Sequence, residues 1–214
     1  MRKEWKGNKK SVSTMLGMST TWYPEQRAAG DYYTTDPTAV EQFVNHHHNH
    51  IGEFTGMFSG RIWEPACGCG NISKVLESNG YHVISTDLYN RGYGNSGVDF
   101  LTADLPDEVI TIITNPAYAL ADEFVKHAMD ILPNHGRYFA LMNLSYLAGQ
   151  KRFKEIYNNG YLHAIHVYPH RINCYKNNEN TGHSSPVNYA WFEYRKIQHI
   201  IADRFQPRIY WIEK

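Results

Sequence analysis

The 214-residue sequence lacks the features that mark several large classes of protein. It has three cysteines, Cys67, Cys69 and Cys174, which are too few and odd in number for a disulfide framework. No apolar run approaches the roughly 20 residues that a membrane-spanning helix needs, and no apolar core follows the basic N-terminus as it would in a signal peptide. The formal net charge is zero, so charge alone does not indicate a nucleic-acid-binding protein. We expect a cytoplasmic protein with no membrane partner.

Metal binding is not expected either. Cys67 and Cys69 are close together, and no second cysteine pair completes a zinc site. Four histidines are clustered in a short stretch: His46, His47, His48 and His50. Adjacent histidines on a helix point in different directions, whereas metal ligands need a fixed geometry and supporting hydrogen bonds. We therefore interpret this cluster as a solvated helix end.

The order of the remaining patterns predicts one domain. Residues 1–30 are polar and predict an N-terminal arm, while residues 31–214 form a single domain of ordinary globular composition. Asp36 and Pro37 predict the start of a helix. Seven segments are predicted to be strands: residues 62–65, 81–86, 98–101, 109–114, 137–142, 162–168 and 188–194. Helical patterns alternate with several of them, which predicts an α/β fold with a mostly parallel sheet and helices on both faces.

The turn after the first of these strands carries a candidate ligand site. Gly68 and Gly70 allow the backbone to approach a ligand closely, and Asp87 ends the next strand, 17 residues beyond Gly70. In dinucleotide-binding folds an acid at this distance holds the ribose hydroxyls. The third glycine that helps accommodate a pyrophosphate is missing, so a ligand with a ribose but no pyrophosphate, such as S-adenosylmethionine, fits better. A purely structural turn is the alternative.

A second candidate is the dipeptide Asp99-Phe100, which we place at the end of the third strand. The acid could accept a hydrogen bond from an adenine amine, and the ring could stack on the base. The alternative is that Phe100 belongs to the core and Asp99 caps a loop.

The tetrapeptide Asn115-Pro116-Ala117-Tyr118 follows a buried-type strand and precedes a helix. The amine of adenine is a poor nucleophile because its lone pair is delocalised into the ring. The Asn115 side-chain carbonyl and the Pro116 main-chain carbonyl could each accept one amine hydrogen, which would free that lone pair and hold the nitrogen in line for attack. Tyr118 could stack on a base flipped out of the duplex. A helix start with a turn proline is the alternative.

Taken in order, these motifs resemble those of adenine-specific DNA methyltransferases, especially the small phage or prophage-encoded ones. Residues 31–37 resemble the segment that precedes the cofactor motif, residues 64–70 the D-P-x-C-G-x-G motif with Glu64 in place of Asp, and residues 115–118 the N-P-P-Y motif. The segments 147–152 and 189–192 are also similar to the phage group. The resemblance implies a Rossmann-like, seven-stranded class I methyltransferase sheet with a last antiparallel strand. It also implies S-adenosylmethionine as cofactor.

The same resemblance implies roles for individual residues. The catalytic residues would be Asn115, Pro116 and Tyr118. The cofactor-binding residues would be Tyr33, Thr34, Thr35, Asp36, Glu64, Pro65, Cys67, Gly68, Gly70, Asp87, Leu88, Asp99 and Phe100. The second proline of the N-P-P-Y motif is Ala117 here, which keeps the proposed acceptors but loosens the turn. We expect activity, at a reduced level.

The implied partner is DNA with a flipped adenine. Lys151, Arg152 and Lys154 could contact phosphate, although an exposed helix face is an equal interpretation. Residues 171–180, in the polar loop 171–186, and the N-terminal arm are candidates for target recognition. A homodimer or an accessory subunit could supply the rest. The motifs also leave open another planar amine or amide as acceptor (a protein glutamine, an RNA base or cytosine) and a non-catalytic phage accessory protein that keeps the fold.

Overall fold

The computed structural model describes residues 33–50, 60–176, 187–196 and 206–213, so the predicted N-terminal arm lies outside the described residues. The strands are β1 (Tyr33–Thr35), β2 (Arg61–Glu64), β3 (Val83–Asp87), β4 (Asn95–Ser96), β5 (Val109–Thr114), β6 (Arg137–Asn143), β7 (Leu162–Val167), β8 (Cys174–Lys176), β9 (Tyr189–Arg195) and β10 (Arg208–Trp211). The α-helices are α1 (Pro37–His50), α2 (Asn71–Ser78), α3 (Ala121–Ile131) and α4 (Gln150–Glu155).

Eight of these strands form one sheet in the order β10-β7-β9-β6-β5-β2-β3-β4. Strand β9 runs antiparallel to both of its neighbours, β6 and β7, and every other pair is parallel. The predicted α/β class, with a mostly parallel sheet and one antiparallel strand, is confirmed. Among the described residues this sheet has eight strands, one more than the seven we expected, because β10 pairs with β7 at the outer edge.

The third strand of the sheet differs in position from the prediction. The expected strand at residues 98–101 is wrong, and the two-residue strand β4 at Asn95–Ser96 takes its place beside β3. Asp99 explains the difference, because its side chain accepts the Leu101 N–H at 3.0 Å and its carbonyl accepts the Ala103 N–H at 3.0 Å. Those bonds close a turn, so residues 98–101 form no strand.

Successive side chains of the central strands belong alternately to two separate apolar cores. On β6, Phe139 and Leu141 pack in one apolar cluster with α1 and α2, while Tyr138 and Ala140 pack in the other with α3. Phe43 of α1 illustrates the first core, since its ring lies 5.6 Å from that of Phe139. This alternation follows from the two-residue period of a strand, and it confirms that helices cover both faces.

The predicted start of α1 and the predicted end of α2 are confirmed. The Asp36 carboxylate accepts the Thr38 N–H at 3.0 Å, and Pro37 is the first residue of α1. After α2, Asn79 caps the helix and Gly80 adopts φ +86°. A positive φ favours glycine, so Gly80 ends this helix as expected.

A small second sheet was not predicted. Strand β8, inside the segment that we read as a polar loop, pairs antiparallel with β1, and Thr35 lies opposite Cys174. Both strands have three residues, which is too short for a two-residue period to be recognised in the sequence. The pairing brings the start of the described chain against the segment that follows β7.

The interpretation of the histidine cluster as a solvated helix end is wrong for His46 and His47. Their exposed fractions are 6% and 5%, because α1 packs across the sheet and carries both rings into the core. His166 lies within hydrogen-bond distance of both His46, at 3.4 Å, and the buried Glu193, at 3.1 Å. His48 is exposed. Among the described residues, no group of three or more metal-ligating side chains is suited to hold an ion, and no helix is long and apolar enough to cross a membrane.

Candidate functional site

A cavity of about 510 Å³ opens at the carboxyl ends of β2, β3 and β5. This is the edge of a parallel sheet where ligands usually bind. Most of the predicted site residues line it: Tyr33, Thr34, Thr35, Glu64, Pro65, Cys67, Gly68, Asp87, Leu88, Asp99, Phe100 and Asn115. Four predicted residues are not part of its lining: Asp36, Gly70, Pro116 and Tyr118. Its volume lies within the usual range for sites that enclose a small organic ligand.

The turn between β2 and α2 forms the floor of this cavity. Gly68 and Gly70 adopt φ values of +56° and +82°. A Cβ atom on Gly70 would lie 2.3 Å from the Tyr93 ring, so glycine is needed there to admit that ring. Gly70 therefore allows the Tyr93 ring to pack against the turn, whereas Gly68 lines the cavity.

Asp87 joins this turn to the end of β3. Its Oδ2 accepts the Gly68 N–H at 2.9 Å, and its Oδ1 accepts the Tyr89 N–H at 2.8 Å. The carboxylate is buried within the protein yet lines the cavity. An acid fixed by two main-chain donors is well placed to accept further bonds from ligand hydroxyls.

Arg91 is a cavity residue that the sequence interpretation missed. Its Nε lies 3.9 Å from Asp87 Oδ1, and its guanidinium lies over the Tyr89 ring at 5.1 Å. The only sequence signal was its position four residues after the acid, inside a glycine-rich loop that carries no periodicity. Together these residues place a positive group and an aromatic ring beside the candidate ribose acid.

Glu64 contributes a buried carboxyl to the cavity lining at the end of β2. Its Oε2 accepts hydrogen bonds from the main-chain N–H of Ser73, at 2.8 Å, and from the Ser73 hydroxyl. Burial raises the pKa of the Glu64 carboxyl to about 8, although both bonds from Ser73 oppose that rise. Burial therefore favours the neutral form of this carboxyl over its charged form.

The dipeptide Asp99-Phe100 has the core and loop-cap positions of the alternative interpretation and also borders the cavity. Both residues line the cavity, but Phe100 is only 2% exposed and its ring packs against Trp63 and Phe124, with centroids 5.2 and 4.7 Å away. Asp99 is exposed and closes its turn by accepting the Leu101 N–H. Phe100 is thus a core residue that also reaches the cavity.

Asn115 lies at the end of β5 with a defined orientation. Its Nδ2 donates to the main-chain carbonyl of Tyr33 at 3.0 Å and to the Thr35 hydroxyl at 3.3 Å. Since both bonds hold the nitrogen of the amide, its carbonyl oxygen lies on the other side of the group. Strand β1 therefore fixes the side chain that the sequence singled out.

Tyr118 takes a different direction from Asn115. A short 3₁₀ turn over Tyr118–Leu120 begins directly after Ala117, and the Tyr118 ring stacks between those of Tyr33 and Tyr189, at 6.2 Å from each. Ala117, Ala119 and Leu120 line the cavity at this point instead. Of these two stacked residues, Tyr33 lines the cavity and Tyr118 does not.

The three candidate phosphate-binding residues differ in their surroundings. Arg152 donates from Nε to Asp122 at 2.8 Å and lies over the Tyr146 ring at 3.7 Å, so it braces the segment after β6. Lys151 and Lys154 are exposed. Of the predicted recognition loop, Arg171 is exposed and Tyr175 donates its hydroxyl to Asp36, while residues 177–186 lie outside the described residues.

No protein-family model matches the sequence, and no curated protein matches it. Solved structures do. A Listeria monocytogenes protein classed as a class I S-adenosylmethionine-dependent methyltransferase superimposes with a TM-score of 0.60 at 13% identity, covering 95% of this chain and 71% of its own. The type IIG restriction endonuclease BpuSI gives a TM-score of 0.56 at 15% identity over 85% of this chain and 27% of its own. A Pyrococcus horikoshii protein classed as an RNA methyltransferase gives 0.55 at 14% identity, over 78% and 87%. At these identities the likeness establishes the fold, which is that of the Rossmann-like class I methyltransferases.

Proposed function

We propose that this chain is an S-adenosylmethionine-dependent methyltransferase that acts on the exocyclic amine of adenine in DNA. The observation that carries the proposal is the position of Asn115, whose amide nitrogen is tied to β1 while the residue lines the same cavity as Asp87 and Gly68. A candidate acceptor-binding group and a candidate ribose-binding acid therefore share one space at the carboxyl edge of the sheet. The fold shared with class I methyltransferases supports this assignment.

The residues present fit the cofactor. Gly68 leaves room for close approach, and the doubly anchored Asp87 carboxylate suits the hydroxyls of a ribose. Arg91 and Tyr89 border the same end of the cavity, and Phe100 closes its inner side. When bound, S-adenosylmethionine supplies an electrophilic sulfonium methyl group. Cofactor contacts of Tyr33, Thr34, Glu64, Pro65, Cys67, Leu88 and Asp99, which line the cavity, belong to the same proposal.

On the acceptor side, the Asn115 side-chain carbonyl accepts one hydrogen of the adenine amine. Pro116 follows directly but is not part of the cavity lining, and its main-chain carbonyl is the proposed acceptor of the other hydrogen. Two such acceptors draw the nitrogen toward a tetrahedral geometry and localise its lone pair for attack. They also fix its direction, which lowers the entropic part of the barrier. After methyl transfer the nitrogen gives its surplus proton to water, because neither amide carbonyl is basic enough to take it.

Two tyrosines are candidates to stack on the flipped adenine. Tyr118 would have to leave its stack with Tyr33 and Tyr189 before it could contact a flipped base. Tyr33 lines the cavity and presents an aromatic side chain without such a movement. We therefore add Tyr33 to Tyr118 as a stacking candidate for the extruded adenine.

A second acceptor class has support from the fold comparisons. The Asn-Pro pair suits any planar amine or amide, and one structural neighbour is classed as an RNA methyltransferase. Methylation of an RNA base, cytosine or a protein glutamine is therefore the alternative function, ahead of a non-catalytic accessory protein. For DNA, the proposal includes a second copy of this chain or another subunit as a partner in target selection.

Modified-base sequencing of plasmid DNA tests the proposal directly. The plasmid is recovered from a bacterial host without adenine methylation that expresses either the wild type or Asn115→Ala. We expect N6-methyladenine with the wild type and a loss of about 100-fold or more with the variant, which should keep its affinity for S-adenosylhomocysteine. Asn158→Ala, at an exposed position outside the cavity, is the matched control.

Radiolabelled transfer with purified protein completes the test. Labelling of RNA or protein in place of DNA would replace the adenine assignment with the alternative. Cofactor binding without transfer to any of the three polymers would refute the enzymatic proposal.

A further inference from the structure

Thr35 lies at a junction of three parts of the structure. Its side-chain hydroxyl lies 3.3 Å from Asn115 Nδ2, and its main-chain carbonyl accepts the side-chain N–H of Asn71 at 2.8 Å. Asn71 is the first residue of α2, directly after the glycine turn. Thr35 is only 2% exposed, and its backbone lies opposite Cys174 in the β1–β8 pair.

The hydroxyl of Thr35 has a specific effect on Asn115. A side-chain amide is planar, and its terminal torsion has two broad minima that exchange the oxygen and the nitrogen. The Tyr33 carbonyl can only accept, so its bond from Nδ2 selects the minimum in which the amide oxygen points away from β1. The Thr35 hydroxyl accepts from the same nitrogen and adds a second hydrogen bond to that minimum. In the other minimum, the NH₂ group of Asn115 would face the amine that is to be methylated, and two hydrogen-bond donors would point at each other.

We propose that Thr35 is a positioning residue that keeps the Asn115 amide in the orientation needed for methyl transfer. This role differs from the cofactor contact that the sequence resemblance implied for Thr35. It rests on the proposed function of Asn115, and it assigns the buried hydroxyl to the acceptor side of the cavity. Through its carbonyl, the same residue ties the orientation of Asn115 to the first turn of α2, so that the glycine turn and the acceptor group keep a fixed spacing.

Two substitutions separate the hydroxyl from the rest of the side chain. Thr35→Val keeps the volume and the β-branch but removes the acceptor, and Thr35→Ser keeps the acceptor. We expect Thr35→Val to lower kcat about tenfold, which corresponds to the loss of one hydrogen bond. KM for DNA and Kd for S-adenosylhomocysteine should change less than about threefold, in line with a bond that acts on orientation alone. Thr35→Ser should restore most of the wild-type kcat.

Thr111→Val is the control for loss of a buried threonine hydroxyl. Thr111 lies on β5, is 1% exposed and is not part of the cavity lining, so its substitution should leave the kinetic constants unchanged. A tenfold weaker binding of S-adenosylhomocysteine by Thr35→Val with unchanged kcat would assign Thr35 to the cofactor and overturn the proposal. Equal losses in the Val and Ser variants would do the same.

A readout independent of activity is the side-chain amide signal of Asn115 in a ¹H–¹⁵N spectrum, assigned by its absence in Asn115→Ala. We expect this signal to shift in Thr35→Val and to stay near its wild-type position in Thr35→Ser and Thr111→Val. An unmoved signal in Thr35→Val overturns the positioning role even if the protein methylates adenine. A shifted signal in a protein that methylates nothing would support the contact and refute the proposed function alone.

Discussion

The main-chain N–H of Gly68 donates to Asp87 Oδ2 at 2.9 Å, which joins the glycine turn after β2 to the end of β3. The same carboxylate accepts the Tyr89 N–H through its other oxygen. Asp87 therefore shapes two walls of the cavity as well as offering its charge to a ligand. Its removal should affect binding through both routes.

Asp87→Asn should weaken the binding of S-adenosylhomocysteine by about tenfold or more, because an amide supplies one acceptor oxygen where the carboxylate supplies two. Isothermal titration calorimetry measures the change. Asp104→Asn removes a charge at an exposed position outside the cavity and should bind like the wild type. Equal affinities for all three proteins would show that Asp87 has no part in cofactor binding.

Gly70 and Gly80 form a matched pair for the role of the glycine turn. Both adopt a positive φ, +82° and +86°, but only Gly70 lies against another side chain. Gly80→Ala should cost about 1 to 2 kcal/mol in the free energy of unfolding, the usual cost of alanine in this conformation. Gly70→Ala should cost more and should also weaken cofactor binding, since its Cβ would overlap the Tyr93 ring.

Urea unfolding and titration with S-adenosylhomocysteine measure both effects. Adding Tyr93→Ala to Gly70→Ala should remove the excess cost and leave that of the backbone. If Gly70→Ala and Gly80→Ala lose the same free energy of unfolding and bind S-adenosylhomocysteine equally well, the Tyr93 contact has no energetic effect.

Ala117 already has the backbone angle of the proline that the related motif carries. Its φ of −57° lies within the range of proline, about −65 ± 15°. Ala117→Pro should therefore raise the free energy of unfolding by about 0.4 to 1 kcal/mol and keep or increase the rate of methyl transfer.

Ala148→Pro is the contrasting variant in the same urea titrations. Its φ is −92°, and its N–H donates to the Ser145 carbonyl at 3.1 Å, so proline should destabilise the protein there. Destabilisation by Ala117→Pro would mean that the turn needs a freedom that proline removes.

The buried histidines predict a loss of stability in acid. Burial lowers the pKa of His163 to about 4 and also lowers that of His47, where His166 adds to the effect. Between pH 6.5 and 4 the unfolded chain binds protons at these positions that the folded chain does not, so the free energy of unfolding falls as the pH falls through this range. Thermal unfolding between pH 7.5 and 4.5 should show a decreasing Tm.

Glu193 extends this dependence to lower pH. Burial alone would raise the pKa of its carboxyl, but the His166 hydrogen bond and Arg195 outweigh burial and lower it to about 2. Stability should fall further as the pH decreases from about 4.5 toward 2. His163→Gln should reduce the change in Tm above pH 4.5, and His82→Gln, at an exposed position, should not. An equal slope in all three proteins would exclude His163 as a cause.

The features that the sequence predicted well are those set by neighbouring residues. Asp36 and Pro37 begin α1, and Gly80 follows the end of α2, because caps and positive φ values depend on a few consecutive positions. The approach of Gly68 to Asp87 was also expected, since adjacent parallel strands bring their carboxyl ends to one edge.

The features that were missed depend on partners far along the chain. His46 looked like part of a solvated helix end, and its burial follows from contact with His166, 120 positions later. The ring of Tyr118 is directed by Tyr33 and Tyr189, on different strands. Strand β8 has no periodicity of its own and exists through its pairing with β1. Local patterns carry no information on such pairings.

The β1–β8 pairing sets the order in which the protein can assemble. The Thr34 hydroxyl donates to the Tyr175 carbonyl across 141 positions, so β1 cannot take its final place until most of the chain has been synthesised. The parallel strands β2 and β3 can form earlier, because their partners are close in sequence. Strand β9, which joins β6 to β7 in the sheet, follows β8 in the chain. A ribosome-bound chain that stops before residue 176 should therefore lack both the β1–β8 pairing that holds Asn115 and the strand between β6 and β7, and it should not transfer a methyl group.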